Sequence, residues 1–183
     1  MYIWRNYIPI AMKSILTVTL LLFLSVQAFF AQAQNDPGLP ELNVTADYLK
    51  SEALFLQVTE WLTETDLDKQ LALRMRNNAF VMKWIEGVPY MKMSLSDQVV
   101  SLFDNNSQLL PIYMANYASF CIGNKENKNA LDAAKAGFLA VVKVYKKDIG
   151  IQKNKALDKL AAAADRNKLD KYIIKHLTIT LRY

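Results

Sequence analysis

An acidic cluster between residues 60 and 68 has the spacing best suited to chemistry. Glu60 and Glu64 lie one turn apart on a helix, as a general acid/base pair of carboxylates could. Asp66 and Asp68 fall where the next helix is predicted to begin, and negative charge there complements the helix dipole. Capping therefore explains the cluster more simply than catalysis does. The sequence contains no Asp-x-Asp-x-Asp-Gly motif, which is typical of a calcium-binding loop.

The chain has one histidine and one cysteine, so a catalytic dyad or triad would have to use His176 or Cys121. His176 lies on one side of a predicted helix with Leu169, Tyr172 and Ile173, where a lone histidine is usually packed and hydrogen-bonded. Cys121 lies in an apolar stretch without a basic neighbour to lower its pKa, so a small buried side chain is expected. One Cys and one His form neither a Cys/His zinc site nor an intramolecular disulfide.

No phosphate-binding or nucleophile motif occurs in the sequence. It has no glycine-rich phosphate loop, no Walker pattern and no G-x-S-x-G elbow. We therefore predict no catalytic, cofactor-binding or metal-binding residue, and we expect a protein that is not an enzyme.

The charge is distributed unevenly along the chain. Residues 34–110 contain 6 Lys/Arg and 11 Asp/Glu, whereas residues 111–183 contain 14 Lys/Arg and 6 Asp/Glu. The ordinary interpretation of such a basic half is a solvated outer face. The alternative is a surface that binds an acidic protein or an anionic envelope surface. That surface would comprise Lys143, Lys146, Lys147, Lys153, Lys155, Lys159, Arg166, Lys168, Lys171 and Lys175.

Residues 1–33 have the pattern of a cleavable secretory signal peptide. Arg5 and Lys13 precede an apolar run over residues 14–30, no acidic residue is present, and an Ala-x-Ala motif ends at Ala33. Small residues at these two positions fit signal peptidase, so cleavage between Ala33 and Gln34 is predicted. An uncleaved anchor is the alternative. Export makes nucleic acid an unexpected partner, and no nucleic-acid-binding motif is present. No spanning segment is predicted after residue 33.

The remaining chain divides into an extended leader over residues 34–44 and a single helical domain over residues 45–183. Apolar residues recur at helical spacing through most of this domain. The main helices are predicted at about 45–62, 65–85, 111–122 and 130–147, with shorter segments at 97–103, 154–165 and 167–177. We expect an all-α fold, a compact bundle or array of five to six amphipathic helices. Residues 88–95 are predicted to form a short strand or an extended connection.

Local signals place the ends of these elements. Thr45 is predicted to cap the first helix, and Thr65 with Asp68 has the spacing of a capping box for the second. Gly87 fits the left-handed position just past a helix end. Ser96 is predicted to cap a short helix. After Leu177 the residues alternate between apolar and polar, which predicts a helix end that runs into a short strand or tail.

Three groups of residues carry a resemblance to a wider set of proteins. They are Trp61-x-Thr63-Glu64-Thr65, then Trp84-Ile85-x-Gly87-x-Pro89, and finally Asn106 with Leu109-Leu110. The pattern resembles small exported helical proteins that are common in Bacteroidota genomes and have no known activity. The likeness covers about residues 58–160, and its motifs are structural rather than catalytic. It implies a periplasmic or extracellular setting in a bacterium and supplies no functional residues.

The sequence thus predicts an exported, non-enzymatic helical protein that acts by binding. The binding surface would be either the basic C-terminal half or an apolar groove between helices. A holdase-like periplasmic chaperone or envelope-associated factor is a second possibility, since a basic helical surface would suit unfolded or anionic clients. An enzyme that uses the pair Glu60 and Glu64 is the third.

Overall fold

The structure is a computed structural model that describes residues 38–126 and 129–178. The predicted signal peptide, the cleavage site between Ala33 and Gln34, and the end of the chain after residue 178 lie outside the described residues. All regular structure within them is helical, and they contain no strand. The prediction of an all-α fold is confirmed.

The described chain contains eight helices, more than the five to six expected, and they belong to one compact unit that begins at Pro40. They are α1 (Thr45–Lys50), α2 (Glu52–Glu64), α3 (Leu71–Gly87), α4 (Asp97–Ser101), α5 (Leu109–Gly123), α6 (Ala130–Lys147), α7 (Lys155–Asp165) and α8 (Leu169–His176). The bounds of α6 agree with the predicted helix. Residues 88–95 form a connection with a turn at Pro89 and Tyr90 and no strand.

The predicted helix over residues 45–62 is in fact two helices, α1 and α2, separated at Ser51. The indole of Trp84 on α3 lies at this break. Its Nε1 donates to the carbonyl of Tyr48 at 3.0 Å and to the Ser51 hydroxyl at 3.2 Å. The residue preceding α1 is Val44, so the prediction that Thr45 is the cap is wrong. The Asp47 carboxylate instead accepts from the backbone N–H of Val44 at 3.0 Å.

The predicted capping box at Thr65 and Asp68 is also wrong. Thr65 ends α2, since its backbone N–H donates to the carbonyl of Trp61 at 3.0 Å. Helix α3 begins only at Leu71, after a loop in which Leu67 is buried. Asp66 therefore lies in a loop rather than in the first turn of a helix. The burial of Leu67 and the hydrogen bonds made by Arg74 hold this loop away from helical conformation.

Gly87 is the last residue of α3, and its φ angle is not positive, so the left-handed prediction is wrong. The lack of room for a side chain at residue 87 explains better why this residue is a glycine. A Cβ atom there would overlap with the hydroxyl end of the Tyr48 side chain, so a larger residue would displace that ring. The predicted cap of α4 is confirmed, because the Ser96 hydroxyl accepts from the backbone N–H of Val99 at 3.4 Å.

Two cations from other helices hold the C-terminal end of α2. Arg74 of α3 is only 5% exposed. Its guanidinium donates to the carbonyls of Leu62, Thr65 and Asp66 at 3.1, 2.7 and 3.2 Å. Lys147 of α6 donates to the carbonyls of Thr63 and Glu64. Helix α2 has no basic residue in its own last turn, so these side chains supply the charge that complements its dipole.

The contact between α5 and α6 depends on a glycine. Gly137 of α6 lies against Tyr113 of α5, and a Cβ atom at residue 137 would lie 2.7 Å from the Tyr113 carbonyl oxygen. The next residue, Phe138, packs its ring 4.5 Å from the Tyr113 ring. Because the obstructing atom belongs to the backbone of α5, a side chain at residue 137 would push the two helices apart.

We expect Gly137→Ala to lower the free energy of unfolding by up to about 2 kcal/mol, measured by urea denaturation. Alanine favours a helix by about 1 kcal/mol, but overpacking a close contact costs about 1–3 kcal/mol. Gly123→Ala is the matched control, since a methyl group at this end of α5 would have no atom within 4 Å. A more stable Gly137→Ala variant would contradict the proposed close approach.

We expect Arg74→Met to lower the free energy of unfolding by about 3 kcal/mol, because it leaves one buried and two partly buried carbonyl groups without this donor. Lys83→Met removes a cation from the same helix that makes no comparable set of hydrogen bonds, and it should change stability by less than about 0.5 kcal/mol. Arg74→Lys should restore only part of the loss, since an ammonium cannot reproduce the guanidinium fork. Equal stability of the two methionine variants would show that Arg74 is dispensable.

Candidate functional site

The predicted basic surface separates into two parts in the structure. In the first part, each cation lies beside a carboxylate: Lys143 pairs with Glu64 and Lys146 with Asp165. Lys147 lies 3.5 Å from a carboxylate oxygen of Asp66, and Lys153 lies 2.9 Å from Asp148. These four lysines of α6 and the following loop are therefore largely neutralised within the molecule.

The second part consists of six exposed cations, which we call the exposed basic set. No carboxylate of the described residues lies within ion-pair distance of any of them. Its members are Lys155, Lys159, Arg166, Lys168, Lys171 and Lys175.

Helix geometry turns the lysines of the exposed basic set away from the core. On α7, Lys155 and Lys159 are one turn apart and lie away from the buried Leu160. On α8, Lys171 and Lys175 have the same spacing and lie away from the buried Ile173. Like charges at this spacing destabilise a helix by about 0.2–0.5 kcal/mol per pair, so this arrangement does not serve the stability of α7 or α8.

The three carboxylates of α7 and α8 all contact side chains of α6. Asp158 accepts a hydrogen bond of 2.7 Å from the Tyr145 hydroxyl. Asp165 pairs with Lys146. Asp170 lies 2.8 Å from the Nζ atom of Lys135. The negative charge of the last two helices therefore lies against α6, and it leaves the exposed basic set without an internal counter-charge.

Helix α8 also carries an exposed aliphatic side chain that the sequence analysis did not single out. Ile174 is 70% exposed and lies one turn after Lys171 and directly before Lys175 in the sequence. Its position outside the buried stripe formed by Leu169 and Ile173 was the sequence signal that could have identified it. His176 is exposed, so the prediction that it is packed in the core is wrong, although its ring does lie 4.9 Å from that of Tyr172, one of the neighbours expected.

A groove of about 420 Å³ lies between α2, α5 and α6. Its lining is mixed rather than apolar, since Thr59 and Asn116 contribute to it beside Leu56. Glu60 and Glu64 both line it, so the structure does bring this pair to one surface depression. A hydrogen bond from Lys143 is the main cause that lowers the pKa of Glu64. A carboxylate with a lowered pKa is poorly suited to donate a proton near neutral pH.

Cys121 is half-buried on α5, less buried than the sequence predicts. Burial raises its pKa from the ordinary value of 9.0 to about 11. A higher pKa disfavours the thiolate, which is the nucleophilic form. Across residues 38–126 and 129–178 no group of three or more His, Cys, Asp or Glu side chains is placed to hold a metal ion.

No helix among the described residues has both the length and the apolar character required to cross a membrane. The comparisons with known proteins give no match to a family model, a curated protein or a solved structure.

We expect Cys121 to react with a disulfide reagent at pH 8 about tenfold more slowly in the folded protein than in urea, since a pKa higher by two units cuts the thiolate fraction about 100-fold while the more basic thiolate is about 6–10-fold more nucleophilic. The pH profile separates this effect from simple shielding. The rate for the folded protein should still rise above pH 10. A rate that levels off near pH 9 would contradict the raised pKa.

Proposed function

We propose that this chain is an exported, non-enzymatic helical protein that binds an anionic partner through the exposed basic set. The observation that carries the proposal is the distribution of charge on α7 and α8. Three carboxylates contact α6, whereas six cations face solvent without a counter-charge among the described residues. A surface of one sign attracts a partner of the opposite sign. Export rests on the signal-peptide pattern of residues 1–33.

The geometry gives less support to an enzymatic function than to binding. Of the two carboxylates in the groove, Glu64 is kept ionised by its hydrogen bond from Lys143. The Cys121 thiol is a poor candidate for a nucleophile because its pKa is raised. These two observations count against the candidates for acid/base and nucleophilic catalysis that the sequence offers. Binding through α7 and α8 needs no such group.

The expected partner is an acidic protein or an anionic envelope surface. Exposed charges interact over a distance of about 8–10 Å at physiological ionic strength, so such binding should weaken as salt is added. The paired lysines of α6 should contribute little to the affinity for this partner, because neighbouring carboxylates already neutralise their charge.

A charge-neutralisation experiment tests the proposal with polyglutamate as the probe. Substitution of Lys155, Lys159, Lys171 and Lys175 by glutamine should weaken binding at least about tenfold at low salt. The matched control replaces Lys50, Lys69, Lys83 and Lys92 by glutamine, which changes the net charge equally and leaves α7 and α8 intact. The affinity is measured by titration calorimetry from about 20 to about 500 mM NaCl.

Two results would contradict the proposal. One is an equal loss of binding in the control, which would mean that net charge alone decides affinity. The other is unchanged binding in the variant of α7 and α8. Salt-sensitive binding to an unfolded outer-membrane protein without binding to polyglutamate would instead favour the holdase-like alternative.

A further inference from the structure

The surroundings of Ile174 narrow the choice of anionic partner. Ile174 is one of two large aliphatic or thioether side chains in the described chain that are at least 70% exposed, the other being Met75 on α3. The buried stripe of α8 does not need Ile174, since Leu169 and Ile173 already face the core. Ile174 therefore stands out from the molecule, one turn from Lys171 and next to Lys175 in the sequence.

We propose that α8 docks the protein onto an anionic lipid surface, with Ile174 inserted between headgroups and Lys171 and Lys175 on lipid phosphates. This inference rests on the proposed function and specifies its partner. An aliphatic side chain gains free energy when it leaves water for the boundary between headgroups and acyl chains. The long stems of the lysines can follow it while their ammonium groups stay at the phosphates.

The layout of charge favours a lipid surface over an acidic protein. The cations do not converge on one point: Lys155 and Lys159 lie on α7, Arg166 and Lys168 precede α8, and Lys171 and Lys175 lie on α8. A broad surface with many phosphates can meet such a spread of charge, whereas an acidic protein would also need a pocket for Ile174.

The carboxylate of α8 does not oppose this docking. Asp170 is the only acidic residue of α8, and the Nζ atom of Lys135 on α6 lies 2.8 Å from its carboxylate. Asp165, at the end of α7, is likewise paired with Lys146. Repulsion between these carboxylates and lipid phosphates is therefore reduced by cations that belong to the protein itself.

Vesicle sedimentation tests the inference with the purified protein. Phosphatidylcholine vesicles are compared with vesicles that also contain about 30% phosphatidylglycerol, a mixture that supplies the negative surface potential. We expect binding only to the anionic vesicles. Lys171→Gln combined with Lys175→Gln should weaken it by about 30-fold, since each lysine near such a surface contributes a factor of about five to the affinity. Lys83→Gln with Lys92→Gln is the charge-matched control.

A second pair of variants tests whether Ile174 inserts into the lipid surface. Ile174→Ser should weaken vesicle binding by about fivefold without a change in polyglutamate binding, because only a lipid surface offers an apolar layer. Met75→Ser is the matched control, since Met75 is 73% exposed on a helix outside the exposed basic set. Both side chains are exposed, so neither substitution should affect folding.

The outcomes separate the two proposals. Wild-type affinity of Ile174→Ser for anionic vesicles would overturn the insertion. Binding to polyglutamate without binding to anionic vesicles would overturn the lipid surface and leave the proposed function standing, with an acidic protein as the partner. Failure to bind either probe would overturn both.

Discussion

The C-terminal end of α2 is the junction on which the helical arrangement depends. Burying a guanidinium removes its charge from water at a large cost in free energy. The fold can tolerate this cost only when hydrogen bonds from the guanidinium replace those that it made to water. Arg74 meets most of this requirement through Nη1 and Nη2, which donate to three carbonyls at the end of α2 and the start of the next loop, whereas its buried Nε has no hydrogen-bond partner among the described residues. The Trp61 ring lies 5.3 Å from the guanidinium carbon. Arg74 thereby fixes the direction in which the chain leaves α2 and the position of α3 against it.

Lys147 extends the same junction to α6, and α6 is the element that determines the charge of the surface. On one side of α6, Lys147 contacts the end of α2 and Lys143 pairs with the Glu64 carboxylate. At another, Tyr145, Lys146 and Lys135 engage the carboxylates of α7 and α8. Because these side chains take up the nearby negative charge, the basic residues of the last two helices are left facing solvent. The fold and the proposed function thus share one set of polar contacts.

The sequence predicts best where a local pattern decides the structure. The periodicity of α6 and the cap at Ser96 are local, and both predictions are confirmed. The single helix over residues 45–62 fails because the indole that interrupts it comes from Trp84, 33 residues after Ser51. The start of α3 fails because Arg74 cannot be recognised as a partner of α2 until the helices pack. The basic half is evident from composition, but the partner of Lys143 lies 79 residues away, so only the structure separates paired from exposed cations.

The exposed basic set is carried by a well-anchored part of the fold rather than by a loose tail. The loop before α7 is held by Asn106, a fully buried side chain that donates to the Gln152 carbonyl at 2.9 Å and accepts from its N–H at 2.8 Å. Asn154 then caps α7 by accepting from the backbone N–H of Ala156 at 2.8 Å. Binding by a preorganised surface requires little ordering of the backbone, so more of the electrostatic attraction remains as affinity. Under the proposed function, this anchoring lets a few exposed lysines on two short helices present their charge at fixed positions.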